Sequence, residues 1–227
     1  MFLGSLAAGA AAAVIPLAFT DAGWYDDTGF HDSANPSYLT GEVVIPPDPI
    51  TGPGRDAFFH SFFIFTLPAI SDAIVAAQLQ IFNPDFGYFS GDPAETLGIF
   101  DVTTPAASLS PTTTGATGVF TDLGTGIAYG SQSVSAGDDG KYVLIDLDAA
   151  ALAALNGAGP GLFAFGGALT TLNSPATEFV FAGTEAIRDA KLVLTTRPVG
   201  TVPEPSSLLL LGAGMLTALS LRRRKPR

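Results

Sequence analysis

The sequence predicts an all-β body, an antiparallel β-sandwich or jelly roll with one short helix, followed by a C-terminal transmembrane helix. Three observations carry this expectation. Turn-forming residues are dense, with 26 Gly and 17 Pro among 227 residues. Between them lie short runs that are apolar or alternate apolar with polar, the pattern of strands. The end differs in kind: Ser206 to Leu221 carries no charge and is rich in Leu, and Arg222-Arg223-Arg224-Lys225 follows.

From the front, residues 1–13 open an uncharged, Ala-rich apolar stretch that reads as the core and small-residue cleavage region of a secretory signal peptide. Cleavage is expected among Ala10 to Ala13. No Lys or Arg precedes the stretch, so either the start codon lies upstream or the signal is weak. Val14 to Phe19 then begins the body, residues 14–197, as a strand. The clearest strand is Asp56 to Phe65, apolar at both parities toward its end, which predicts a central strand buried on both faces. Val75 to Phe82 alternates, with Gln78 and Gln80 on one side and Leu79 and Ile81 on the other. Further strands are expected at 38–44, 96–102, 142–147, 162–165, 178–181 and 191–195. Spaced this way and with little helical periodicity, they indicate a sandwich or jelly roll.

One helix is expected. Asp148 caps Ala149 to Leu155, with Leu152 and Leu155 three apart on one face, and Asn156-Gly157 supplies the left-handed stop. Its role is structural, crossing one mouth of the sandwich. Residues 103–117, rich in Thr, Ser, Pro and Ala, read as a long loop. Residues 198–205 are a linker too short to carry the body far from a membrane. No internal repeats are evident.

Composition narrows the function. The chain has no Cys, which excludes disulfide staples and Cys-based redox or zinc chemistry. Its body must hold together by a single core, for which its length suffices. Half of the 10 Lys and Arg lie in the last six residues; before Pro203, five bases face 20 acids, a net charge near −15 against −11 for the whole chain. Such a surface repels phosphates, so nucleic-acid partners are excluded.

The chemistry-bearing residues form few constellations. Only His31 and His60 could serve as the base of a Ser-His-Asp triad, and no Gly-x-Ser-x-Gly elbow accompanies them. His60 shares a strand face with Phe58, Phe62 and Ile64, as a hydrogen-bonded core or edge imidazole does; His31 falls in a loop. Asp26, Asp27 and Asp32 cluster in what reads as a flexible loop and are the candidate calcium ligands, since calcium accepts six to eight oxygens without strict geometry. Asp138-Asp139-Gly140 could add to such a site or form a hairpin turn. Neither group has the spacing of an EF-hand or a nonapeptide calcium repeat. Trp24-Tyr25 and Phe86-Gly87-Tyr88-Phe89 stand in Gly- and Asp-rich loop contexts, and Trp24, Tyr25, Tyr88 and Phe89 are the candidate sugar-stacking rings, unless they plug the ends of the sandwich. Glu178 and Glu185 read as surface groups rather than a glycosidase pair. Gly124-Thr125-Gly126 lacks the Lys and helix of a phosphate loop.

The tail carries the strongest signal. Pro203-Glu204-Pro205 cannot join a helix, because each ring removes a backbone donor and biases its predecessor toward extended geometry, so it presents a segment that an enzyme cleft can grip. Residues 206–221 are slightly short of an untilted membrane span, a mismatch that snorkelling basic residues and local thinning absorb. Arg222, Arg223, Arg224 and Lys225 place residues 222–227 in the cytoplasm and the body across the membrane. This ordered arrangement resembles the PEP-CTERM sorting signal of exported bacterial proteins. The resemblance implies processing at Pro203, Glu204 and Pro205 by a transpeptidase-like exosortase, with this chain as its substrate. The body is similar in general character to a group of such proteins, through Gly23 to Asp32, Arg55 to Phe65, Leu79 to Pro84 and Leu147 to Leu152. That similarity implies a surface or biofilm-associated protein and transfers no catalytic residue.

The expected function is therefore a non-enzymatic structural or adhesive component of a polysaccharide-rich surface layer. It begins as an inner-membrane-anchored precursor and ends at the cell surface or outside the cell. The alternative is a lectin-like reader of extracellular polysaccharide.

Overall fold

The computed structural model describes residues 11–35, 37–47, 54–182 and 189–199. The strands are β1 (Ala13–Asp26), β2 (Thr40–Ile45), β3 (Arg55–Leu67), β4 (Ala73–Asn83), β5 (Glu95–Phe100), β6 (Ala128–Val134), β7 (Lys141–Asp146), β8 (Gly161–Leu169), β9 (Glu178–Val180) and β10 (Ala190–Arg197). Two helices accompany them, α1 (Thr117–Leu123) and α2 (Ala149–Ala158). Every pairing is antiparallel, in the order β6-β5-β8-β3-β1-β10-β4-β7, with β2 beside the first half of β3 and β9 beyond β2.

β1 makes the architecture. Its first half pairs with β10 through Ala13 to Ala18, and its second half pairs with β3 from Phe19 on, with a register shift between Phe19 and Asp21. A bulge bends a strand and increases its twist. One continuous strand thus carries the chain from one side of the body to the other. The ends of the path then approach each other, as Asp148 N donates to Tyr129 O at 2.8 Å, so the sheet is nearly closed and barrel-like. The all-β antiparallel class expected from the sequence is the one observed. β1 also runs on past Phe19 to Asp26, so Trp24 and Tyr25 lie in a strand and not in the predicted loop.

The predicted burial of β3 on both faces is present, and it defines two hydrophobic layers. Phe63 and Phe65 point inward with Leu79, Ile81, Leu97, Ile99, Phe165, Leu192 and Leu194. Phe62 and Ile64 point outward and join Tyr25, Ala164, Leu109 and Leu123. The cover over that outer layer is the stretch expected to be a loop, 103–117, with the residues that follow it. The expected loop holds a short 3-10 turn (Ala106–Ser108), and α1 begins at its end. The sequence of α1, Thr-Gly-Val-Phe-Thr-Asp-Leu, is poor in helix formers and costs up to about 4 kcal/mol relative to Ala by propensity. Full burial of Leu123 and Leu109, at about 1.5–3 kcal/mol each, with the partly buried Val119 and Phe120, offsets it. Packing, not propensity, makes this helix.

α2 is the predicted helix, and Asp148 caps it by accepting from Ala150 N at 2.9 Å and Ala151 N at 3.0 Å. It runs past the expected stop. Asn156 stays helical because its side chain brackets Ile74, accepting from Ile74 N and donating to Ile74 O, both at 2.9 Å. The left-handed residue that ends the helix is Gly159, with φ 68°. β6 has no predicted counterpart; it is a mostly exposed polar strand anchored inward by Tyr129 and Val134.

Among the described residues no helix is long and apolar enough to cross a membrane. The expected transmembrane helix at 206–221, the motif at 203–205, the basic cluster at 222–225, Glu185 and residues 1–10 of the expected signal peptide lie outside the described residues.

Candidate functional site

The residues predicted to act fall into separate places. Trp24 is 8% exposed and packs edge-on against Phe59 at 5.2 Å between ring centroids. Tyr25 is fully buried, stacks on His31 at 4.9 Å and donates its hydroxyl to Leu109 O at 3.0 Å. Burial pushes the Tyr25 phenol up, and a hydrogen bond with Thr113 opposes this. A ring enclosed on both faces cannot stack on a sugar, so the sugar-stacking expectation for Trp24 and Tyr25 is corrected. Tyr25 anchors the cover to β1, whereas the Trp24 ring packs among Phe30, His31 and Phe59.

His31 is buried, with Nδ1 2.8 Å from Trp24 O and Nε2 3.1 Å from Ser110 O. His60 stacks on Phe120 at 3.9 Å and bonds Phe120 O through Nδ1 at 2.7 Å. Burial lowers the His60 pKa, and the bond to Phe120 partly offsets that. Both imidazoles clamp the outer cover, and among the described residues neither bonds a serine hydroxyl.

The predicted calcium cluster is also corrected. Asp26 Oδ1 accepts from Thr28 N, Thr28 Oγ1 and Phe30 N, closing the turn after β1. Arg55 spans both neighbouring carboxylates, with Nη2 3.2 Å from Asp26 and Nη1 3.0 Å from Asp27. Asp27 also accepts from Phe58 N at 3.3 Å. Asp32 caps its own turn by accepting from Ala34 N. Two of the three carboxylates are thus spent on an arginine and a turn, and the three do not converge. Asp138 and Asp139 make a turn, the second of the readings their sequence allows. Asp138 closes a capping box with Ser135, and Asp139 accepts from Asn83 Nδ2 and Tyr88 N.

The second aromatic pair reaches solvent. Tyr88 is half-buried and donates to Asp92 O at 2.6 Å. Phe89 is 55% exposed and stacks on Phe179 at 5.5 Å, and Phe86 is 90% exposed. Next to Tyr88, which bonds Asp92 O, and to Phe179, which follows Glu178, lies a group that sequence reasoning missed. One oxygen each of Asp92, Glu95 and Glu178 lie within 4.8 Å of one another. Glu95 and Glu178 are buried, so Glu178 is not the surface group expected. Glu42, fully buried, is the cross-strand partner of Glu178 in the β2–β9 pairing. The loop after β8 laces these acids together. Thr171 Oγ1 donates to Glu95 at 2.5 Å, and Asn173 gives its Nδ2 to Asp92 at 2.5 Å and its backbone N to Glu178 at 2.8 Å. Ser174 Oγ donates to Glu42 Oε1 at 2.9 Å, and Ser90 Oγ donates to Glu95 at 2.6 Å. No motif could have announced this site, because its acids come from three separate segments, at residues 42, 92–95 and 178, that only the fold joins.

Comparison with known proteins identifies the tail alone. Residues 201–225 match the family described as PEP-CTERM protein-sorting motif. No curated protein matches the chain. The match covers Pro203-Glu204-Pro205, the Leu-rich run and the basic cluster at 222–225, the three parts in the order the sequence predicts. The chain thus carries, at residues 201–225, a PEP-CTERM protein-sorting motif, the signal of exported exosortase substrates.

Proposed function

We propose that the chain is a structural or adhesive component of a polysaccharide-rich surface layer. In this reading its precursor is held at the inner membrane by residues 206–221, with Arg222 to Lys225 on the cytoplasmic side, and an exosortase cuts it at Pro203 to Pro205. The observation that carries the proposal is the sorting motif at residues 201–225 behind a cysteine-free, strongly acidic β body. We read that body as a jelly-roll sandwich whose role is mechanical. The engagement of His31 and His60 in clamping the cover supports a non-catalytic role. A strain lacking this chain should shed its surface polysaccharide under shear, with restoration by the intact gene. A layer equally cohesive without the chain counts against the proposal.

A second reading, lectin-like binding of extracellular polysaccharide, is favoured by one observation: Phe86 and Phe89 are exposed, and Phe89 stacks on Phe179, the residue next to Glu178 of the carboxylate group. Exposed rings flanked by polar groups suit the apolar face and hydroxyl rim of a sugar. Binding on a glycan array that disappears with Phe86→Ala and Phe89→Ala together would select this reading over a purely structural role.

A further inference from the structure

We propose that Asp92, Glu95 and Glu178, with Glu42 beside them, form a binding site for one divalent cation of the calcium type. Three buried carboxylates and one half-buried one share this place, and among the described residues none is ion-paired with Lys or Arg. Their partners are neutral hydroxyl, amide and backbone donors. Neutral donors satisfy lone pairs but leave the negative charge uncompensated, and burying like charges together is unfavourable unless a proton or a cation joins them.

A second observation points to a ligand independently of the clustering. Glu42 Oε2 is buried and has no hydrogen-bond donor among the described residues. The β2–β9 register sets Glu42 directly opposite Glu178, on the same face, and the two carboxylates bond consecutive loop residues, Ser174 and Asn173. A buried polar atom left without a partner is rare and asks for an explanation. A cation between these strands supplies one.

Chemistry selects the cation. Every available ligand is oxygen, with no imidazole or thiolate in the group, which suits a hard ion. Calcium–oxygen distances of about 2.3–2.6 Å put opposite ligands up to roughly 5 Å apart. The 4.8 Å limit on the three carboxylate oxygens falls inside that span. Each oxygen that already accepts one hydrogen bond keeps a second lone pair for the metal. A bound ion would pin the loop after β8 and the loop holding Asp92 to β2, β5 and β9, a structural staple in a chain with no Cys.

The test uses the full chain, purified in detergent, stripped with chelator and titrated with calcium chloride by calorimetry at pH 7. One calcium per chain is expected, with a rise in melting temperature of about 5–10 °C at a hundredfold excess over Kd. Glu178→Gln should abolish binding. Asp92→Asn, at a less buried position that should tolerate the change, should weaken it about tenfold or more. Asp32→Asn, in the unconverged group, should leave binding unchanged. Absence of calcium binding by the unaltered chain, or binding that survives Asp92→Asn undiminished, overturns the proposal. Magnesium binding at equal affinity would overturn the calcium assignment.

Discussion

Two glycines exposed to the same substitution should respond with opposite signs, and the difference tests whether α1 sits on the outer face of β8. A Cβ added at Gly166 would lie 2.3 Å from Leu123 O and 2.8 Å from Leu123 C and Cα. Favourable carbon contacts begin near about 3.5 Å, so the end of α1 would have to lift by roughly 1 Å. The obstacle is backbone, so no rotamer change relieves it. Lifting the helix loosens Leu123 from Tyr25, Phe62 and Ile64. Overpacking of this kind costs about 1–3 kcal/mol. For a body of this size that lowers the melting temperature by about 2–12 °C. At Gly157, inside α2, an added Cβ meets nothing within 4 Å. Gly157→Ala should therefore stabilise by about 0.5–1 kcal/mol through helix propensity and a less flexible unfolded chain. Thermal melts followed by circular dichroism on Gly166→Ala, Gly157→Ala and the unaltered chain provide the readout. If Gly166→Ala melts with the unaltered chain, α1 does not rest on β8, and the account of the outer layer fails.

Other consequences are equally specific. Tyr25→Phe removes the buried hydroxyl that holds Leu109 O and should lower stability by about 1–3 kcal/mol in urea titration, with little change in slope. Asp148→Ala removes the cap that serves Ala150 N and Ala151 N and should cost about 1 kcal/mol in the same titration. His60 has a lowered pKa in the folded state, mainly from burial, so the unfolded chain binds its proton more readily. Its contribution is present above the unfolded value near 6.5 and is lost as pH falls through the folded value. The decline in melting temperature between pH 7 and 5 should therefore be shallower in His60→Leu than in the unaltered chain.

Much of the β body is legible because burial imposes parity. Gln78 and Gln80 alternate with Leu79 and Ile81 because one face of β4 is inside, and the double apolar run in β3 records two covered faces. α2 is legible because alanine and an aspartate cap act locally. What escapes is set by distant partners. β6 reads Ala-Tyr-Gly-Ser-Gln-Ser-Val, with only Tyr129 and Val134 buried, so its strand character comes from pairing with β5. The extension of β1 through Trp24 and Tyr25 depends on β3, and α1 depends on the outer face it covers. The acidic site is the extreme case. Glu42, Asp92, Glu95 and Glu178 look like scattered surface acids until β2 pairs with β9 and the loop after β8 closes over them. Asp26, Asp27 and Asp32 lie close in sequence, but Arg55 takes up the first two and Asp32 closes its own turn.

The sorting signal is local by nature, since a Pro-Glu-Pro tripeptide, an apolar run and a basic end can be read by other molecules without a tertiary fold. Its processing is tested most directly by finding where the C-terminus of the mature chain falls. The chain is expressed with an exosortase, the cells are fractionated, and the terminal peptide of the body is determined by mass spectrometry. We expect a body outside the cytoplasm that ends within Pro203 to Pro205, and full-length membrane-bound chain when Glu204→Ala is introduced. A body recovered from the cytosol with Arg227 still attached, whether or not Glu204 is altered, would contradict the account.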